Sequence, residues 1–252
     1  MNKLYPFLLT IFVLLGSQAM AATVKMGYFN LPPHMYSDSQ GAAQGASVNF
    51  VNQIFTQMGY EVEWIGPMPY MRLLHYIEEA NIDGMPLMQE SEKEPLFYFP
   101  KYPYYRPQPV LIVKKSNPLT EIKSIADIKN YQVGFIAGVE LSPFMKAHQD
   151  QLKIEYLSQQ NWLELNLLKL KRGRIDAVYG LNQISTLSQG IKMGMQDEIK
   201  LLPLPEPPGE MFIGISKKAS LGKQIIRDYN RYHVSFKVKY EDLLFQELMK
   251  DE

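Results

Sequence analysis

Apolar and polar positions divide the chain into one long apolar run and many short periodic segments. The long run, Leu4 to Leu15, follows Lys3 and precedes Ala19-Met20-Ala21. A positive start, a short apolar centre and a small-x-small end predict a cleavable signal peptide over residues 1–21. The run is short for a membrane span, which takes about 20 apolar residues. No cysteine follows it to carry a lipid. A periplasmic chain, exported and not lipid-anchored, is expected.

After the leader the period shifts between two and 3.6 residues. Val24 to Phe29 predicts a strand, stopped by Pro32-Pro33. Val48, Val51, Ile54, Phe55 and Met58 define a helix with Ser47 as its expected cap and Gly59 as its stop. A strand over 61–65, a helix over about 70–80 and a strand over 82–87 follow, so right-handed βαβ units are expected. Val110 to Val113 opens a second series. It has a short helix at 124–130, strands near 132–136, 153–156 and 174–179, and helices over about 141–148 and from Asn161 to Gly173. The chain returns through 199–204 and the prolines of 205–209 to a strand at 211–215 and two helices, about 221–232 and 238–249. This order predicts an α/β fold of two Rossmann-like lobes with mainly parallel sheets, joined by a two-strand hinge. Lobe 1 would hold 22–110 and 207–252 and lobe 2 would hold 111–206, with hinges near 109–114 and 203–209.

Composition narrows the chemistry. With no cysteine, disulfides, thiolate catalysis and cysteine metal sites fall away. Removing Lys3 with the leader leaves 25 basic against 26 acidic residues, a net charge of −1, so neither nucleic acid nor an anionic membrane surface is called for. Of the scattered methionines only Met193 and Met195 are close-spaced, and such residues ordinarily fill cores. No metal or other cofactor is expected.

The stretch from Asp83 to Val113, DGMPLMQESEKEPLFYFPKYPYYRPQPVLIV, resembles the signature of the family 3 periplasmic solute-binding proteins, roughly DxxxxxxTxxxRxxxxxFSxPY followed by a hinge strand. Gly27, Pro32, Pro33, Gly45, Gly59, Tyr70 and Asp83 match that family's landmarks in order, and Arg174 to Tyr179 resembles its GRxDAVxxD. The resemblance implies a type II periplasmic-binding fold that closes on a small polar solute, amino-acid-like or amine-containing. The implied protein is no enzyme. It would be a monomer serving an inner-membrane ABC permease or a sensor kinase.

The same resemblance supplies ligand-site candidates. Lys93 falls where the family's carboxylate-gripping arginine sits, and offers a point charge in place of a bidentate fork. The family's ammonium-binding aspartate falls on Leu181, with Asn182 after it. Both ends of an amino-acid clamp are thus altered. Backbone N–H groups of Gly138 and Val139 could face an anion. Glu140 beside them would instead favour a cation, or serve only its own helix. Tyr70, Tyr28 and His34 are candidate cleft aromatics, with Trp162 either a wall or a core residue. Met88 and Gln89 take the place of the family's backbone and threonine contacts, in a segment two residues shorter than the pattern. Arg72 could supply an anion grip or lie on a solvated face. Two other readings remain open: a lyase or dehydratase using His34, Glu140 or Lys93 as acid or base, and a sensory protein with a degenerate cleft.

Overall fold

The computed structural model describes residues 21–90 and 95–251. The expected leader, apart from Ala21, and Lys93 lie outside the described residues.

In chain order, β1 (Ala22–Gly27) leads to a two-stranded hairpin, β2 (Tyr36–Ser37) and β3 (Ala43–Gln44). Next come α1 (Ala46–Gln57), β4 (Tyr60–Ile65), α2 (Tyr70–Glu78), β5 (Gly84–Met88) and β6 (Phe97–Tyr98). The second series contains β7 (Val110–Lys114), β8 (Gln132–Ile136), α3 (Pro143–Ala147), β9 (Lys153–Leu157), α4 (Trp162–Lys171), β10 (Ala177–Gly180), α5 (Gln183–Lys192) and β11 (Ile199–Pro203). The chain then returns through β12 (Phe212–Ser216), α6 (Gly222–His233) and α7 (Tyr240–Leu248).

These strands form two five-stranded sheets, ordered β4-β1-β5-β12-β6 and β11-β7-β10-β8-β9. In each sheet four strands share a direction and one opposes them: β12 in the first and β7 in the second. The reversed strands are the ones by which the chain enters a sheet from the other half. Parallel strands flanked by helices are expected to be apolar throughout, and all four residues of β10, which runs parallel to β8, are buried.

Local sequence explains where α1 begins. Gly45 has φ 115, and a Cβ there would collide with the His34 carbonyl oxygen, so the helix must start after a glycine. Ser47 is consequently inside the helix and does not cap it; its hydroxyl lies 2.8 Å from the Tyr240 hydroxyl. Phe50, Val51, Ile54 and Phe55 form the buried face of α1 and pack in a core with Tyr229, Tyr240 and Leu244 of α6 and α7. The other large core runs from Leu73, Ile77 and Met85 beside the first sheet to Leu111, Phe135 and Tyr179 in the second. Apolar packing is therefore continuous across the seam between the sheets.

Two antiparallel crossings connect the halves. Tyr104 N–H donates to Met211 O (3.0 Å) and Met211 N–H to Tyr105 O (2.9 Å), while Gly209 N–H and Leu204 N–H donate to Pro107 O and Pro109 O. The Gln108 side-chain amide donates across the pair to Leu204 O and Glu206 O, both at 3.2 Å. Among the described residues no helix is long and apolar enough to cross a membrane.

Candidate ligand cleft

In open α/β sheets a ligand site belongs at the carboxyl ends of the parallel strands, where connections diverge to either side. Here the end of β1 contributes Phe29 and Leu31, and the end of β5 contributes Leu87, Met88 and Gln89. Tyr70 comes from the first turn of α2, Val139 and Glu140 from the turn after β8, Leu181 and Asn182 from the end of β10, and Met211 from a crossing. These residues enclose a cavity of about 60 Å³ between the two sheets.

Its walls are chiefly apolar. Phe29 meets Tyr70 edge-on, with ring centroids 5.5 Å apart. Leu87 has φ 57, a left-handed conformation that costs a non-glycine residue on the order of 1 kcal/mol. The Tyr104 hydroxyl accepts the Leu87 N–H at 2.9 Å, helping to hold that conformation. Strain at a cleft wall is a common mark of a site under functional constraint.

Glu140 is the charged group of the cavity wall. Its side chain is 17% exposed, and Lys146 Nζ lies 3.8 Å from Oε2. The other oxygen, Oε1, is buried without a hydrogen-bond partner. Neither Lys nor Arg is among the described residues lining this cavity. The same carboxylate borders two more open hollows, one with Gly138 and Lys146, the other with Glu206 and the prolines of the return crossing.

Seven of the sequence-derived candidates thus come together on one cavity: Tyr70, Met88, Gln89, Val139, Glu140, Leu181 and Asn182. Gly138 adjoins them on the neighbouring hollow, at φ 87, where a Cβ would strike Met71 of α2. Two candidates are elsewhere. Tyr28 is 1% exposed, shares a 2.7 Å hydrogen bond with the Ser37 hydroxyl and packs edge-on against Trp64. It is the residue after Tyr28, Phe29, that lines the cavity. His34 is wholly buried, stacked on Tyr240. Arg72 is exposed on α2.

His34 instead anchors a hydrogen-bonded chain between the halves. Asn182 Nδ2 donates to His34 Nε2 at 2.5 Å, which leaves the ring proton on Nδ1, facing the Tyr240 hydroxyl. Asn182 Oδ1 accepts from Ile184 N–H (2.8 Å) and Ser185 N–H (3.3 Å), capping α5, and from the Tyr105 hydroxyl at 3.4 Å. Burial holds the His34 imidazole neutral by lowering its pKa to about 3. A second link joins the halves where Gln160 Nε2 donates to Pro67 O at 2.6 Å.

Phe29, Leu31, Leu87 and Met211 were not among the residues singled out from sequence. For Phe29 and Leu31 a signal was present: they follow β1 directly, next to a candidate that proved to face the other way. Among the described residues no group of three or more His, Cys, Asp or Glu side chains could hold a metal.

Two mostly parallel α/β sheets, crossed twice by the chain and meeting over a chiefly apolar cleft whose described wall carries the Glu140 carboxylate, define a two-lobed ligand-binding protein. The chain belongs to the bacterial extracellular solute-binding proteins, family 3, whose sequence profile matches residues 24–186, more than half of its length. No curated protein matches the chain. Among solved structures it is similar to an ancestral arginine-binding protein bound to arginine, with a TM-score of 0.70, 21% identity, and 92% of this chain and 98% of that one covered. It is also similar to the amino acid ABC transporter substrate-binding protein AbpA from Streptococcus pneumoniae bound to L-arginine, with a TM-score of 0.71, 19% identity, and 90% and 95% covered. The BvgS periplasmic domain of B. pertussis matches with a TM-score of 0.71 and 18% identity over 90% of this chain and 42% of that one.

Proposed function

We propose that the protein is an exported binding protein that captures a small amine-containing solute between its lobes and presents it to an ABC-type importer or a sensor. The observation that carries the reading is the buried, unpartnered Oε1 of Glu140 on the wall of an otherwise apolar cavity. A carboxylate so positioned favours an ammonium or similar cation, and charge-assisted hydrogen bonds of this type are the strong ones. It disfavours a ligand carboxylate in the same place. With Leu181 where the family's ammonium-binding aspartate sits, Glu140 takes over the cation-binding role from the neighbouring turn. The hinge segments in this reading are the paired crossings, and closure needs only better contacts in the closed state than in the open one.

The test is a thermal-shift panel of amines, amino acids, organic acids and short peptides on the purified protein. A cationic amine should raise the melting temperature, since a ligand at a hundredfold excess over Kd stabilises the fold by about 2.7 kcal/mol. Glu140→Gln should weaken that ligand at least tenfold. A response confined to organic acids, or full affinity in Glu140→Gln, would overturn the assignment.

A further inference from the structure

A second cavity, of about 50 Å³, lies on the second-lobe side of the cleft, walled by Phe135, Ile136, Trp162, Leu163, Ser185 and Thr186. It shares Phe29, Leu31, Val139, Leu181 and Asn182 with the first cavity, so the two are neighbours across common walls. Its surface is almost wholly apolar, yet two of its lining residues carry buried polar groups without hydrogen-bond partners, Trp162 Nε1 and Ser185 Oγ. The residues are 5% and 2% exposed. Buried polar groups are ordinarily hydrogen-bonded, and the adjoining ones are: Thr186 Oγ1 donates to Asn182 O at 3.2 Å, and Asn182 is engaged with His34 and the start of α5. The indole N–H can only donate, while the serine hydroxyl can donate or accept. Together they suit a neutral hydroxyl or carbonyl, and none of the described residues lining the cavity is charged.

We propose that this second cavity is a subsite for the far end of the ligand, which is an amine with an apolar body ending in one neutral hydrogen-bonding group. The subsite rests on the amine reading of the first cavity. Glu140 holds the cationic head, Phe29, Val139 and Leu181 cover the body, and Trp162 and Ser185 read the terminal group. A second cation at that end finds no carboxylate and must be desolvated against apolar walls. The site therefore selects against diamines as well as against plain alkylamines.

Isothermal titration calorimetry on the intact protein tests this with probe pairs that differ by one hydroxyl: tyramine against phenethylamine, and 5-amino-1-pentanol against pentylamine, with putrescine as the diamine. A site built to hydrogen-bond a substrate hydroxyl discriminates against the analogue lacking it. The hydroxylated member of at least one pair should bind five- to tenfold more tightly than its partner and than putrescine. Trp162→Phe should shrink that ratio below threefold. Because Trp162 is a buried helix-start residue, Ser185→Ala provides a second variant with little change of volume and should shrink the ratio as well. Equal affinities within both pairs would mean that solvent serves the two groups, and would overturn the subsite while the amine reading stands. A ratio untouched by either variant, or a preference for putrescine, overturns it in the same way. If no amine binds, the amine reading fails and the subsite with it.

Discussion

At the scale of single residues, position along the chain and direction of the side chain proved to be different kinds of information. His34 and Tyr28 follow the strand end that faces the crevice, yet Tyr28 packs on Ser37 and Trp64, and His34 is buried between Tyr240 and Asn182. One residue of offset in a strand reverses the face, which is why Phe29 takes the place expected of Tyr28. His34 has an exact consequence for pH. Its folded-state pKa of about 3 lies below the ordinary 6.5, so between those values the unfolded chain holds more protons than the folded one. Its contribution is intact above pH 6.5 and is lost as pH falls toward 3, by up to about 1.4 kcal/mol per unit. Protonation cannot be met by rotating the Asn182 amide to present oxygen, because Oδ1 is already committed to the start of α5. Chemical denaturation at pH 7, 6, 5 and 4 should show stability falling through this window, and His34→Gln should flatten the fall. Parallel curves for the two proteins would mean that the imidazole titrates normally.

At the scale of elements, α5 separates what periodicity reveals from what it hides. Most helices and strands could be read because their apolar residues recur at the right spacing over a sufficient length. The segment 183–192 contains Ser, Thr, Gln and Gly in most places and carries only a thin stripe of Ile184, Leu187 and Ile191. It gave no sequence signal strong enough to predict a helix, and the capping role of Asn182 emerges only with the structure. That cap now has two duties, holding the first turn of α5 and reaching the opposite half. Asn182→Ala should therefore cost more than a lost cap, which alone is about 1 kcal/mol. Leaving the buried His34 Nε2 without its donor adds about 1–3 kcal/mol. Asn182→Ser retains a capping oxygen and should recover the first part only. Urea denaturation of the two variants measures the difference, and equal losses would remove the link to His34 from the account. The site was legible to a similar degree. The strand-end residues Tyr70, Met88, Glu140 and Leu181 could be located by resemblance. The burial of Glu140 Oε1 and the orphaned groups of the second cavity could not, since both arise from packing between segments far apart in sequence.

At the scale of the whole molecule, the two halves share apolar packing across their seam and are joined by two chain crossings. Among the described residues, hydrogen bonds across the cleft join Asn182 with His34 and Tyr105, and Gln160 with Pro67, while Gly138 packs closely on Met71 and Tyr70. In the proposed function, a ligand bridging Glu140 and the walls of the first lobe favours the closed form by its differential contacts. The crossings must then bend while keeping the sheets intact. Gln108 bears on this directly, because its amide ties one crossing to two carbonyls of the other, and removing it leaves the backbone ladder around Met211 in place. Gln108→Ala should lower global stability by only about 1 kcal/mol. In the same protein, amide hydrogen exchange should accelerate over residues 204–211, since local opening there no longer breaks the side-chain ties. Exchange in β7, β8 and β10, deep in the second sheet, should follow the global stability and nothing more. If the crossings exchange no faster relative to those strands than in the unmodified protein, the bending motion is located elsewhere and Gln108 is an ordinary surface amide.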